Sequence, residues 1–123
     1  MPIQMPDILV SELVGPLSIH FRRGEAAYQN LFLDGRQFLS AKILKDNNSE
    51  IRRLILSKGY LLPFEQQQNA IELVAHLDIW LELWEDIAAT KAHKPKDKFS
   101  FESCKYPQEA AASLKAFCLA LCK

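Results

Sequence analysis

Glycine and proline are scarce in this 123-residue chain, which contains 4 glycines and 6 prolines. An all-β protein needs many tight turns, and such turns usually contain one of these two residues. Phosphate-binding loops of the Gly-x-x-x-x-Gly-Lys or Gly-x-Gly-x-x-Gly kind also need glycines, and neither motif occurs. The scarcity therefore points away from a β-rich fold and from nucleotide-binding loops.

Cysteine and net charge are equally limited. The chain has three cysteines, and its 15 basic residues balance its 15 acidic residues. An odd number of cysteines without a secretory signal favours free thiols in a reducing compartment, so we expect a cytoplasmic protein. A nucleic-acid-binding protein normally carries a basic excess, and a membrane span needs about 18 consecutive apolar residues. We therefore expect no nucleic acid and no membrane as partner.

Catalytic motifs are missing as well. No Gly-x-Ser-x-Gly elbow occurs, and His20, His76 and His93 fall in three different predicted elements. The Glu-x-x-His pairs of di-iron helical bundles are also absent from the sequence. The sequence therefore favours a protein that is not an enzyme and that needs no cofactor.

Apolar residues recur instead at spacings of three and four, which is typical of amphipathic helices. We predict an all-α fold, a four-helix-bundle-like single domain over residues 1–123 with a short extra N-terminal helix. Residues 1–6 are predicted to form an extended arm. Asp7 is predicted to cap the short helix, which ends at Gly15-Pro16 because proline cannot continue it.

The next predicted helix covers residues 17–45. Gly24 and Gly35 lie on its apolar stripe, and close approach of a neighbouring helix is a physical reason for glycine there. Asp34-Gly35 is also a good β-hairpin signal. The sequence leaves open whether these two residues form a turn or lie inside a helix.

A break is predicted at residues 46–49, followed by a short helix over residues 49–58. Pro63 then marks the start of a long helix over Phe64–Thr90. At about 100° per residue, its apolar residues fall in one arc and its acidic residues in the opposite half, with His76 on the border. The arc contains Leu73, Leu77, Trp80, Leu81, Trp84, Ile87 and Ala88. The opposite half contains Glu72, Asp78, Glu82, Glu85 and Asp86.

A long loop is predicted at residues 92–106, before a last helix from Pro107 to about Cys122. Basic residues where this loop begins form a candidate patch for an anion or an acidic partner surface, and a solvated loop is the alternative interpretation. The patch consists of Lys91, His93, Lys94, Lys96 and Lys98.

Two pairs of side chains have the spacing of shared metal ligands. Glu72 and His76 lie four residues apart on the long helix, as do Cys118 and Cys122 on the last one. The further donors that a zinc ion would need are Cys104 and His93. A boundary histidine beside a solvated carboxylate, and small cysteines in a helical core, explain the same pairs without a metal. The sequence favours these interpretations.

The segment His20-Phe21-Arg22-Arg23-Gly24 resembles the His-x-apolar-Lys-Gly signature of histidine phosphotransfer domains. Those domains are four-helix bundles of about this length. The resemblance implies that His20 is a phospho-acceptor and that Arg23 is its basic neighbour. It covers these five residues, and Arg22 stands where the family has an apolar residue.

The wide apolar arc of the long helix favours a role in protein–protein contact. Trp80 and Trp84, one turn apart on this arc, are candidates for either the core or a subunit interface. We therefore expect a protein partner, with a homodimer as one form of the contact. Histidine phosphotransfer through His20, or a bundle that binds a metal or small molecule, are the alternatives.

Overall fold

The computed structural model describes residues 5–33, 38–90 and 106–122, and in these ranges the fold is all-α, without strands. Four long helices pack in the manner of a four-helix bundle. They are α2 (Gly15–Leu33), α3 (Phe38–Lys58), α4 (Phe64–Thr90) and α5 (Gln108–Leu121). The short α1 (Met5–Leu9) precedes them, and a 3₁₀ turn (Gly59–Leu61) joins α3 to the segment before α4. None of the described helices is both long and apolar enough to cross a membrane.

The N-terminal segment differs from the prediction. Met5 and Pro6 are helical, so the extended arm is wrong at these residues, and residues 1–4 lie outside the described ranges. The predicted end at Gly15-Pro16 is also wrong, because a π-helical turn (Val10–Val14) connects α1 directly to α2. The Gly15 N–H donates to the carbonyl of Val10, five residues back. Proline has no N–H to donate to the carbonyl four residues earlier in an α-helix. The wider π turn just before Pro16 accommodates this missing hydrogen bond.

The division between α2 and α3 also differs from the prediction. One helix over residues 17–45 and a break at 46–49 are both wrong, because α2 ends at Leu33 and α3 runs unbroken from Phe38 to Lys58. Polar side chains at the expected break have partners that are compatible with a helix. Ser49 Oγ, for example, donates to the carbonyl of Lys45 at 2.9 Å. Asp34-Gly35 lies outside the described residues, and the elements on both sides are helices rather than hairpin strands.

The core lies between the helices in two clusters of buried side chains. The larger cluster has its centre at Leu13, Leu17 and Leu114, which have no exposed surface. The smaller cluster joins Trp80 and Trp84 to small or branched residues of α2 and α3. Its other buried members are Ala27, Ala41 and Leu44. The two tryptophan rings are parallel, with centroids 6.5 Å apart.

The predicted long helix is confirmed, with both ends as predicted at Phe64 and Thr90. Six members of the predicted apolar arc are buried or packed against the core, whereas the five predicted acidic residues are exposed. The last helix is also confirmed, and it ends at Leu121 rather than at Cys122.

Gly24 explains how closely α2 and α3 approach each other. A Cβ atom at position 24 would lie 2.7 Å from the amide nitrogen of Asn47 on α3. The expected close approach of a neighbouring helix is therefore present at this glycine. Ala27 on α2 likewise packs with Ala41 and Leu44 on α3, so small residues line the contact between the two helices.

We predict that Gly24→Ala destabilises the protein by about 1–3 kcal/mol, because the added methyl group forces Asn47 out of its position. Alanine normally stabilises a helix relative to glycine, so a loss of stability is diagnostic of the close contact. The measurement is urea unfolding followed by circular dichroism. Gly59→Ala is the matched control, since a Cβ there would meet Ile55 at an ordinary 3.5 Å. Equal effects of the two variants would contradict the interpretation.

Candidate functional site

The face of α4 that points away from the core carries large apolar side chains. Phe64, Ile71 and Ile79 are 74%, 59% and 56% exposed, and Ala75 between them is also exposed. When α4 is projected at about 100° per residue, these four residues fall in an arc of about 80°. From residue 64 to residue 79 they extend over about 22 Å. We call these four residues the apolar stripe.

Acidic residues surround the apolar stripe. Every charged residue of α4 is acidic and exposed, and the helix contains no lysine or arginine. These residues are Glu65, Glu72, Asp78, Glu82, Glu85 and Asp86. In the same projection Glu82 and Asp86 continue the line of the stripe beyond Ile79, and the others lie on its two sides. One helix of a chain with zero net charge is therefore strongly negative.

An open groove lies between α3 and α4 at the acidic end of the apolar stripe. Its volume is about 300 Å³, and its lining consists of Ser49, Arg52, Asp78, Leu81, Glu82 and Glu85. Arg52 Nε donates to the Asp78 carboxylate on one wall of the groove. Neither Glu82 nor Glu85 forms an ion pair with any residue in the described part of the chain. The groove therefore has negative charge that no described cation neutralises.

His20 and Asn47 form a second candidate site, where α2 meets α3. His20 is half-buried, and Asn47 is a polar residue with no exposed surface. The Asn47 amide nitrogen donates to the backbone carbonyl of His20 at 2.8 Å. The Asn47 amide oxygen lies 2.9 Å from His20 Nδ1. We call this arrangement the His20–Asn47 pair.

The hydrogen bonds of the His20–Asn47 pair determine the tautomer of the imidazole. A carbonyl oxygen only accepts, so the amide nitrogen must face the backbone and the amide oxygen must face the ring. Nδ1 therefore carries the hydrogen and donates it to Asn47. In the neutral ring Nε2 then holds the lone pair that attacks an electrophile or binds a ligand.

Charged residues lie on both helices near the His20–Asn47 pair. Arg22 and Arg23 are exposed on α2. On α3, Arg53 donates to the Glu50 carboxylate at 2.9 Å. That hydrogen bond holds the pKa of the Glu50 carboxyl below its usual range, and the charge of His20 acts in the same direction.

His76 lies at the border between the two faces of α4 and is half-buried. Its ring meets Tyr106 edge-on, with centroids 5.2 Å apart. Lys115 of α5 lies 5.5 Å from the centre of the Tyr106 ring and 3.4 Å from the Glu25 carboxylate. These contacts join α2, α4 and α5 around the start of the last helix.

The candidate metal ligands do not come together among the described residues, where no group of three or more His, Cys, Asp or Glu side chains is placed to hold a metal. Glu72 is exposed beside the half-buried His76. Cys118 is buried and Cys122 is exposed, and both are free thiols. Outside the described residues lie Cys104, Lys91, His93, Lys94, Lys96 and Lys98.

We predict that Cys118 on α5 and Cys122 just after it differ sharply in reactivity. Burial raises the pKa of the Cys118 thiol to about 12, and the thiolate is the form that reacts with alkylating agents. In a Cys104→Ser variant, iodoacetamide at about pH 8 should label the folded chain once, at Cys122, and label the urea-unfolded chain twice. Intact-mass measurement gives both counts. Equal labelling rates at the two thiols of the folded chain would refute the prediction.

No family model, curated protein or solved structure matches this chain. The evidence for the candidate sites therefore comes from the geometry of this chain alone. Of the residues singled out from the sequence, His20 has a fixed orientation, while Trp80 and Trp84 lie in the core cluster.

Sequence reasoning missed the apolar stripe. It treated the outer half of α4 as acidic and gave no role to Phe64, Ile71 or Ile79. The signal was present, because Phe64 and Ile71 are seven residues apart and Ile79 follows eight residues later, which places all three near one line of a helix. It also missed Asn47, since nothing local in the sequence indicates that this side chain reaches a histidine 27 residues earlier.

Proposed function

We propose that this chain is a protein-interaction module that binds a partner protein through the apolar stripe of α4. The observation that carries the proposal is that Phe64, Ile71 and Ile79 are each more than half exposed and lie along one line. Single exposed apolar residues are common on protein surfaces, whereas several large ones on one face of a helix indicate an interaction site. The exposed Gln68 lies within this face, between Phe64 and Ile71. A row at helical spacing suits contact with another helix, which presents its own apolar residues at the same spacing.

The part of α4 that takes part in the contact differs from the one expected from the sequence. The arc that favoured a homodimer contains Trp80 and Trp84, and side chains of α2 and α3 cover both of them. Support for a partner comes from the opposite face of the helix. A homodimer through that face is one of the outcomes that the experiment below distinguishes.

A photo-crosslinking amino acid at position 71, in the middle of the apolar stripe, tests the proposal in cells that express the protein. We expect a discrete adduct whose mass spectrum identifies either another protein or a second copy of this chain. Position 119 is the matched control, because Leu119 is an exposed leucine on α5. The adduct should disappear when Ile79→Ser is added. No adduct at position 71, or the same adduct from both positions, would refute the proposal.

A second candidate function is histidine phosphotransfer, which the orientation of His20 supports. The Nε2 lone pair would attack the phosphorus of an aspartyl phosphate on a receiver domain. A nitrogen–phosphorus bond would form, the acyl–oxygen bond to phosphorus would break, and the aspartate would leave as a carboxylate. Arg23, one turn from His20, would supply positive charge near the phosphoryl oxygens.

Incubation with phosphorylated receiver domains tests this second function. We expect an acid-labile and base-stable phosphate on His20 that is absent from His20→Gln. Asn47→Ala should lower the rate of labelling, because the ring loses the hydrogen bond that fixes its tautomer. No label on the wild-type chain, or an equal label on His20→Gln, would rule the function out.

A further inference from the structure

We infer that the occupant of the apolar stripe is a basic amphipathic helix of a different protein; this inference rests on the proposed function. The six charged residues of α4 are all acidic, and they lie beside the stripe and beyond its end. A partner that covers Phe64, Ile71 and Ile79 must bring its flanking residues next to these carboxylates. Cations there gain attraction, whereas carboxylates are repelled.

A second copy of the chain does not meet this requirement through the same face. A two-fold contact of α4 with α4 would bring together two helices whose charged residues are all acidic, without any lysine or arginine on either helix. The charges of α4 therefore disfavour a contact between two copies of this helix and favour a basic helix of another protein.

The groove between α3 and α4 specifies where a cation of the partner would lie. Glu82 and Glu85 line the groove without a described ion-pair partner, and Leu81 supplies an apolar surface. A lysine or arginine side chain fits this combination, since its aliphatic stem contacts Leu81 while its charged end reaches the two carboxylates. The groove lies at the C-terminal end of the apolar stripe on α4. A partner helix that lies along α4 would therefore contact Phe64 and Ile71 near one of its ends, and Glu82 and Glu85 near the other.

Three synthetic helical peptides of equal length and labelled with a fluorophore test the inference by anisotropy. The first is amphipathic with leucine on one face and lysine on the other, the second has glutamate in place of lysine, and the third has the first composition in scrambled order. We expect the full-length protein to bind the first peptide at least tenfold more tightly than either of the others. Binding should weaken as salt rises, because exposed charges are screened.

Variants of the protein separate the two parts of the surface. Ile71→Ser with Ile79→Ser should weaken binding of the basic amphipathic peptide at least tenfold. Glu82→Gln with Glu85→Gln should weaken it about fivefold, as expected for exposed charge pairs. Glu109→Gln, an exposed carboxylate on α5, is the control and should leave affinity unchanged.

The outcomes distinguish this inference from the proposed function. If the acidic peptide binds as well as the basic one, and both depend on Ile71 and Ile79, the interaction site stands but its preference for a basic helix is refuted. If the scrambled peptide binds as well as the amphipathic one, the attraction is non-specific and the inference fails. A cross-linked adduct that consists of two copies of this chain would also overturn it, while leaving the proposed function in place.

Discussion

Trp84→Ala should destabilise the protein by about 3–5 kcal/mol, the range for removal of a large aromatic side chain from a core. Trp84 is 7% exposed and packs with Trp80 and with residues of α2 and α3. Alanine would leave a cavity where three helices meet, and the parallel Trp80 ring would lose its neighbour. Urea unfolding followed by far-ultraviolet circular dichroism measures the free energy of unfolding.

Phe64→Ala is the matched control, because it removes an aromatic side chain from the same helix at a position that is 74% exposed. We expect a change within about 0.5 kcal/mol there. A loss below about 1 kcal/mol for Trp84→Ala, together with altered association, would instead assign Trp84 to a subunit interface and contradict its place in the core.

Asn47→Ala should destabilise the protein by about 2–4 kcal/mol, although it removes a small polar side chain. The change deletes two hydrogen bonds and leaves the Nδ1–H of His20 without its buried acceptor, and a buried polar group without a partner is costly. Urea unfolding again gives the free energy. Asn48→Ala, next to it on α3 and only half-buried, should cost much less.

A double-mutant cycle isolates the contribution of the His20–Asn47 pair. His20 and Asn47 are joined directly by hydrogen bonds. The effects of His20→Ala and Asn47→Ala on the free energy of unfolding should therefore deviate from additivity by about 0.5–3 kcal/mol. Additive effects would show that the pair does not couple α2 to α3.

The long helix could be predicted from the sequence because its pattern is strong and local. Its 27 residues alternate between an apolar arc and an acidic half, and Pro63 lies just before its first residue, where a missing N–H has no cost. Burial of Trp80 and Trp84 confirms the buried side of the projection. The bounds of α4 and its wide apolar arc could therefore be predicted from Pro63 and from helical periodicity.

Two breaks were predicted where the chain stays helical, and the two errors have different physical origins. Residues 46–49 are poor helix formers in isolation, yet Asn47 gains buried hydrogen bonds to His20 that outweigh its intrinsic preference. Gly15-Pro16 is a typical end signal, yet the turn before it widens and the helix continues. In each case tertiary contacts or a rarer helix geometry override local preference.

The candidate site was harder to predict than the fold. An exposed row such as Phe64, Ile71 and Ile79 has the same periodicity as a core row, so the sequence shows two apolar lines on α4 without showing which one the rest of the chain covers. The role of Asn47 depends on a contact between residues 27 positions apart. Such contacts depend on the packing of α2 against α3, which composition and spacing do not specify.

Because of the π-helical turn Val10–Val14, the packing of α1 depends on the number of residues that separate it from α2. A π turn has the effect of one residue inserted into an α-helix, and one residue corresponds to about 100° of rotation. Leu9 lies before the turn and Leu13 within it, and both are buried in the same cluster. Deletion of one residue within the turn would restore a regular helix and rotate α1, so that Leu9 would no longer face the core. At this point the number of residues, as much as their identity, determines which side chains are buried.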